Sequence, residues 1–250
     1  MLRITVTFLL AALLPAGSHP GPAPASAPAD TVQAGDRRLD ASHLSAFALV
    51  RQMTLTRGDT ALPFGHQSEA LSAAMLQGRP VWLDVQTFES PRATTVDSSW
   101  VDARTMQPIR MFSGNRSRTI ELQFAGTDLR GRMVPDTGAA KVLDQALSAR
   151  PFEWNTFGLA VSSLPLRTGY RVVMPVYSDR FGAVAWYTVE VVADTTLTRT
   201  SGFEAPMWQV VARSEAPWPT IRFWVSQRHR FVDRALLTET GAAMLYARNL

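Results

Sequence analysis

From about Ala46 to the C-terminus, apolar and polar residues change places at every second position in one short segment after another. That period belongs to β-strands with one face buried and one face wet. The clearest segments are 81–88, 119–125, 170–177, 184–192, 207–213 and 221–227. In each, one parity is strongly apolar: Val81, Leu83 and Val85; Ile120, Leu122 and Phe124; Tyr170, Val172 and Met174; Tyr187, Val189 and Val191; Ile221, Phe223 and Val225. Side chains alternate across a strand, so these sets are expected to face a common core.

Turn chemistry separates the segments. Pro135 presets φ and Gly138, after Asp136 and Thr137, is free to take positive φ, which suits a tight reversal. Strands joined this closely are antiparallel neighbours. Segments 68–77 and 139–147 contain good helix formers, and Ala139, Val142, Leu143, Ala146 and Leu147 even share a helical stripe. Each lies beside a turn and a strand, and both are read as strands. The best helix is 156–164: Thr156 can cap it, Phe157, Ala160, Val161 and Leu164 share a face, and Pro165 stops it. The expected fold class is mainly β, a large antiparallel sheet with one short helix.

The chain begins with Arg3, an apolar run from Ile4 to Leu14, then Pro15, Ala16, Gly17 and Ser18. This is the layout of a cleaved signal peptide over 1–18, because about 20 apolar residues are needed to span a bilayer. Residues 19–36 are rich in Pro, Ala and Ser without an apolar period, and are expected to be a flexible leader. One β-rich domain over 37–250 accounts for the remainder. The chain has no cysteine, which removes a disulfide framework and a lipidated cysteine anchor. A product free in the periplasm or secreted is expected, with no transmembrane segment in the mature chain.

The formal net charge is +4, carried by arginine with Lys141 as the single lysine. The arginines are scattered singly or in pairs, whereas a nucleic-acid footprint gathers basic residues on one stripe with stacking aromatics. Nucleic acid is therefore not an expected partner. The arginine and alanine richness fits a bacterial chain of high-GC coding.

No chemical motif rises above this pattern. His43, His66 and His229 show no metal-ligand spacing, and no metal or cofactor is expected. Ser226, His229 and Asp233 hold the residue types of a catalytic triad within one hairpin, which rarely achieves the geometry. Acid pairs such as Glu190 with Glu204 or Asp97 with Asp102 suit a glycosidase-like hydrolase only if a cleft gathers them. Arg57-Gly58-Asp59 and the sequon Asn115-Arg116-Ser117 both read as turns. The tryptophans are more suggestive. Trp82, Trp186 and Trp224 occupy the parity opposite the apolar face of their strands, and burying such a side chain is worth about 2–3 kcal/mol. Either loops, the helix or a curled sheet cover them, or they line a groove for an apolar ligand.

From Trp100 onward the chain resembles an uncharacterised family of bacterial envelope proteins, similar in shape to periplasmic lipoprotein carriers. The residues that carry the likeness are 100–108 (WVDARTMQP), the strands around Ile120 and Leu129, Leu164-Pro165-Leu166 followed by Gly169, and Phe223-Trp224-Val225-Ser226. The resemblance implies a sheet curled into an incomplete barrel around the helix, with a concave apolar face. It brings no functional residue with it. The expected function is that of an exported, noncatalytic protein of the Gram-negative periplasm that binds a lipid or other apolar molecule, with Trp82, Trp186 and Trp224 as its binding residues. The alternatives are an envelope scaffold or adaptor with a filled core and a protein partner, and a carboxylate-based hydrolase.

Overall fold

The computed structural model describes residues 30–198, 202–215 and 217–248. The expected signal peptide and most of the leader lie outside the described residues. Eight strands follow one another as an antiparallel meander: β1 (Phe47–Arg57), β2 (Thr60–Leu76), β3 (Arg79–Glu89), β4 (Thr94–Asp102), β5 (Pro108–Asn115), β6 (Arg118–Ala125), β7 (Asp128–Pro135) and β8 (Lys141–Ala146). After the two-residue β9 (Phe152–Glu153) and the helix α1 (Phe157–Ser162), a second meander runs through β10 (Arg171–Ser178), β11 (Ala183–Thr198), β12 (Glu204–Ser214), β13 (Thr220–Ser226), β14 (Val232–Glu239) and β15 (Ala242–Arg248). Of the segments 68–77 and 139–147, residues 68–76 and 141–146 are in strands.

The two meanders join through their first and last strands. β1 pairs antiparallel with β15, Met53 opposite Tyr246, so the described residues form one sheet of 15 strands with β8 and β9 at its edges. The strand pairing never closes, yet the sheet curls back on itself. Tyr177 of β10 packs with Met111, Ile120, Leu122 and Leu129, and its ring meets Phe124 edge-on at 5.7 Å. Arg118 at the start of β6 reaches Asp179 at 3.4 Å across the same gap. β9–α1–β10 is a parallel crossover, which carries the helix onto the concave face.

Close backbone approaches permit the curl. Gly65 sits at the irregularity where β1 and β2 lose register, with φ +141°, and an added Cβ would stand 1.8 Å from the Glu89 carbonyl oxygen.

Two expectations need correction. The domain does not begin at Arg37: Val32 and Ala34 are fully buried, and Val32 N–H donates to the Val173 carbonyl at 2.8 Å. Residues 30–32 thus extend the sheet edge beside β10, and the apolar side chains of an otherwise polar stretch hold it there. The second correction concerns β3. Trp82, Asp84 and Gln86 stand beside Ala73, Leu71 and Glu69 of β2 and Val101, Ser99 and Asp97 of β4, on the concave face. Val81, Leu83 and Val85 therefore point the other way. The apolar sets of β6, β10, β11 and β13 do face the interior.

α1 is shorter than expected, and Thr156 does not cap it with its side chain. Its hydroxyl donates instead to the Glu153 carbonyl at 3.2 Å, while the Glu153 carboxyl accepts the N–H groups of Asn155 and Thr156. The acid two to three residues upstream takes the role the threonine would have had.

Candidate ligand-binding site

The concave face carries a polar strip bordered by aromatic and aliphatic walls. Arg51 of β1 is 3% exposed; its guanidinium pairs with Glu69 of β2, donates to Gln67 at 3.1 Å and reaches the Val232 carbonyl of β14. Gln67 donates to Gln86 at 2.8 Å, and Gln86 donates to Asp84 at 2.7 Å and to the Asn155 carbonyl at 2.9 Å. Further along the face, Ser99 donates to Glu153 at 2.9 Å. The network thereby ties the chain entering α1 to β3 and β4. A buried polar side chain needs such partners, and here they come from strands that meet only in the folded sheet.

Burial governs the protonation of these acids. It raises Asp84 well above the usual carboxylate range, with the negative Glu69 adding to the rise. Burial also lifts Glu153 to about 7 and Asp97 to about 6, and raises Asp179. One oxygen each of Asp84 and Asp97 has no hydrogen-bond partner among the described residues. Desolvation favours the neutral form of a carboxyl when cations are too few to pair it. No group of three or more metal-ligating side chains is assembled among the described residues.

Between α1 and the strands opens a groove of about 110 Å³. Phe88, Trp154, Phe157, Phe223, Leu237 and Tyr246 form its apolar walls, and Arg51, Gln67, Glu69, Gln86 and Asn155 its polar end. The helix lies close on one side, since a Cβ on Gly158 would stand 3.0 Å from Val232 Cγ2. Ligand pockets combine mostly apolar walls with a few convergent polar groups in this way, though drug-sized ligands take roughly 300–1,000 Å³.

The three expected binding tryptophans are not brought together. Trp82 lies on the concave face, half-buried against the core, with its indole N–H buried and without a hydrogen-bond partner among the described residues. Trp224 is on the opposite face, where its cross-strand neighbour Arg234 stacks over the ring at 5.7 Å. Trp186 shares that opposite face and lines a separate depression with Val173, Val184 and Trp218. None of the three lines the interior groove; its aromatic residues are Phe88, Trp154, Phe157, Phe223 and Tyr246. Trp154 and Phe157 flank the helix start, and Phe223 belongs to the apolar parity of β13, so two of the signals were present in the sequence.

Most side chains of the candidate catalytic constellations have other partners. Ser226 Oγ accepts the backbone N–H of His229 at 3.2 Å, the His229 ring stacks on Phe231, and Asp233 faces Arg248 at 3.3 Å. Glu190 pairs with Arg213, and Asp102 pairs with Arg79 while accepting N–H groups of its own turn. Arg57-Gly58-Asp59 forms the β1–β2 turn, and Asn115 accepts from Ser117 and Arg118 in the β5–β6 turn. No helix among the described residues is long and apolar enough to cross a membrane.

The profile of a family described as "Protein of unknown function (DUF3108)" matches residues 52–240, from within β1 to the end of β14. The chain belongs to the DUF3108 family. The expected resemblance to an uncharacterised family is met by this match. Among solved structures, the chain is similar to a beta-barrel-like protein of the domain of unknown function DUF1849 from Brucella abortus, at 10% identity and a TM-score of 0.54 over 82% of this chain and 96% of that one. At that identity the likeness concerns the fold: a DUF3108 chain and a DUF1849 chain share a curled, barrel-like sheet. No curated protein matches this chain. Neither comparison gives a sign of catalysis.

Proposed function

We propose that this DUF3108 protein is an exported, noncatalytic binding protein of the periplasm that takes an apolar or lipid-like molecule into the groove between α1 and the concave face. The observation that carries this reading is the groove's division into aromatic walls and one polar end at Arg51, Glu69 and Gln86. An amphiphilic guest would lay its apolar part against Phe157, Phe223 and Leu237 and its head toward the network. Each buried methylene contributes about 0.8 kcal/mol, so useful affinity arises from apolar area without a chemical motif. The N-terminal layout of a signal peptide supports export.

Titration with the apolar fluorophore N-phenyl-1-naphthylamine tests the reading. Saturable binding is expected, and Ala235→Phe, which fills the groove, is expected to weaken it while the protein stays folded. Equal binding by a folded Ala235→Phe protein would count against the groove.

A further inference from the structure

A second cavity, of about 410 Å³, lies where β1 begins, between the start of β12 and the β13–β14 turn. Phe47, Leu49, Phe203, Met207 and Phe231 supply its apolar side. Phe47 and Phe231 are in ring contact at 5.7 Å, and Phe203 stands 59% exposed at the rim. The polar side is cationic: Arg228, His229 and Arg248 line it, and no carboxylate does among the described residues. Arg248 meets Asp233 at 3.3 Å and lies over the Phe231 ring. Arg228 makes no ion pair among the described residues.

We infer that this cleft binds a single-chain anionic amphiphile of the fatty-acid type, its chain along Phe47, Phe203 and Phe231 and its carboxylate between Arg228 and Arg248. The volume falls within the roughly 300–1,000 Å³ of small-ligand sites. The sign of the rim selects the head: an arginine holds a carboxylate through charge-assisted hydrogen bonds, while a neutral alcohol gains none of that strength. The exposed phenylalanine at a basic rim is explained by the same ligand, which would cover it. The site is distinct from the interior groove. No residue lines both, although Arg248 of the cleft and Arg51 of the groove are cross-strand neighbours.

Calorimetric titration of the full chain with decanoate, well below its micellar range, tests the inference. One site is expected, with decanol binding more weakly, acetate not measurably, and added salt lowering the affinity. Arg228→Gln and Phe203→Ser change exposed or rim side chains, so both should keep the wild-type melting temperature and lose about tenfold or more in decanoate affinity. The inference is overturned if wild type does not bind decanoate, if decanol binds as well, or if folded Arg228→Gln and Phe203→Ser bind unchanged. Loss of decanoate binding in Ala235→Phe alone would place the acid in the interior groove and sink the cleft while sparing the groove. A dimer that buries Phe203 and resists decanoate would assign the cleft to a second copy and likewise overturn it.

Discussion

Arg51 and Glu69 form an ion pair buried between β1 and β2, and the same guanidinium reaches across to the Val232 carbonyl on β14. Two charges taken from water this way hold together strands from opposite ends of the chain. Removing one partner leaves the other charged and alone. Glu69→Ala should cost about 3–5 kcal/mol of stability, whereas Arg51→Met with Glu69→Leu should recover most of it, because apolar replacements of both ions carry no stranded charge. Urea denaturation of the two single variants and the double variant checks this; additive losses would contradict it.

Glu153 links pH to stability. Its carboxyl titrates at about 7 in the fold against an ordinary 4.5, so between those values the folded chain keeps a proton that the unfolded chain has released. Stability contributed by this group is therefore full below about pH 4.5 and declines as the pH rises to about 7, by at most about 1.4 kcal/mol per pH unit. Asp84 and Asp97 act in the same sense. Glu153→Gln should gain on wild type in urea midpoint between pH 5 and pH 8. A difference that stays constant with pH would refute the assignment.

The tryptophans separate by face. Trp82 packs against the core, and Trp82→Ala should cost about 2–4 kcal/mol. Trp224 rests under Arg234 on the outer face, so Trp224→Ala should cost less than about 1 kcal/mol and leave groove binding unchanged. Melting curves and fluorophore titration of the pair give the comparison.

Gly65→Ala should be strongly destabilising. Its φ of +141° is open to glycine, and the new Cβ would collide with the Glu89 carbonyl. A loss above about 2 kcal/mol is expected, against a smaller one for Gly58→Ala in the open β1–β2 turn, where nothing stands within 4 Å. Similar losses at both positions would show that the curl does not depend on that close approach.

Much of the fold could be read from period two alone. The strands around Ile120, Val172, Val189 and Phe223 lie where their alternation put them, and the closely spaced turns made them antiparallel. β3 shows where that reasoning stops. Its apolar parity is not its interior parity, because Gln86 is engaged inside by Gln67 and the Asn155 carbonyl, partners remote in sequence, and in turn donates to Asp84. A pattern rule that sends apolar residues inward cannot see a polar network closed by tertiary contacts. Trp186 and Trp224 lie on the face opposite their strands' apolar sets, as their parity put them, while the groove takes its aromatic walls from Trp154 and Phe157 at the start of the predicted helix and from Phe223 in the apolar set of β13. The β1–β15 pairing left no trace in the sequence, since both strands look like ordinary edges.

Native mass spectrometry of the protein purified from the periplasm, with solvent extraction of what it carries, tests the central claim most directly. The account predicts a mass increment released by organic solvent and identified as an apolar or lipid-like molecule, absent from Ala235→Phe. A wild-type protein recovered from the periplasm at its bare mass, and unable to take up N-phenyl-1-naphthylamine, would contradict it.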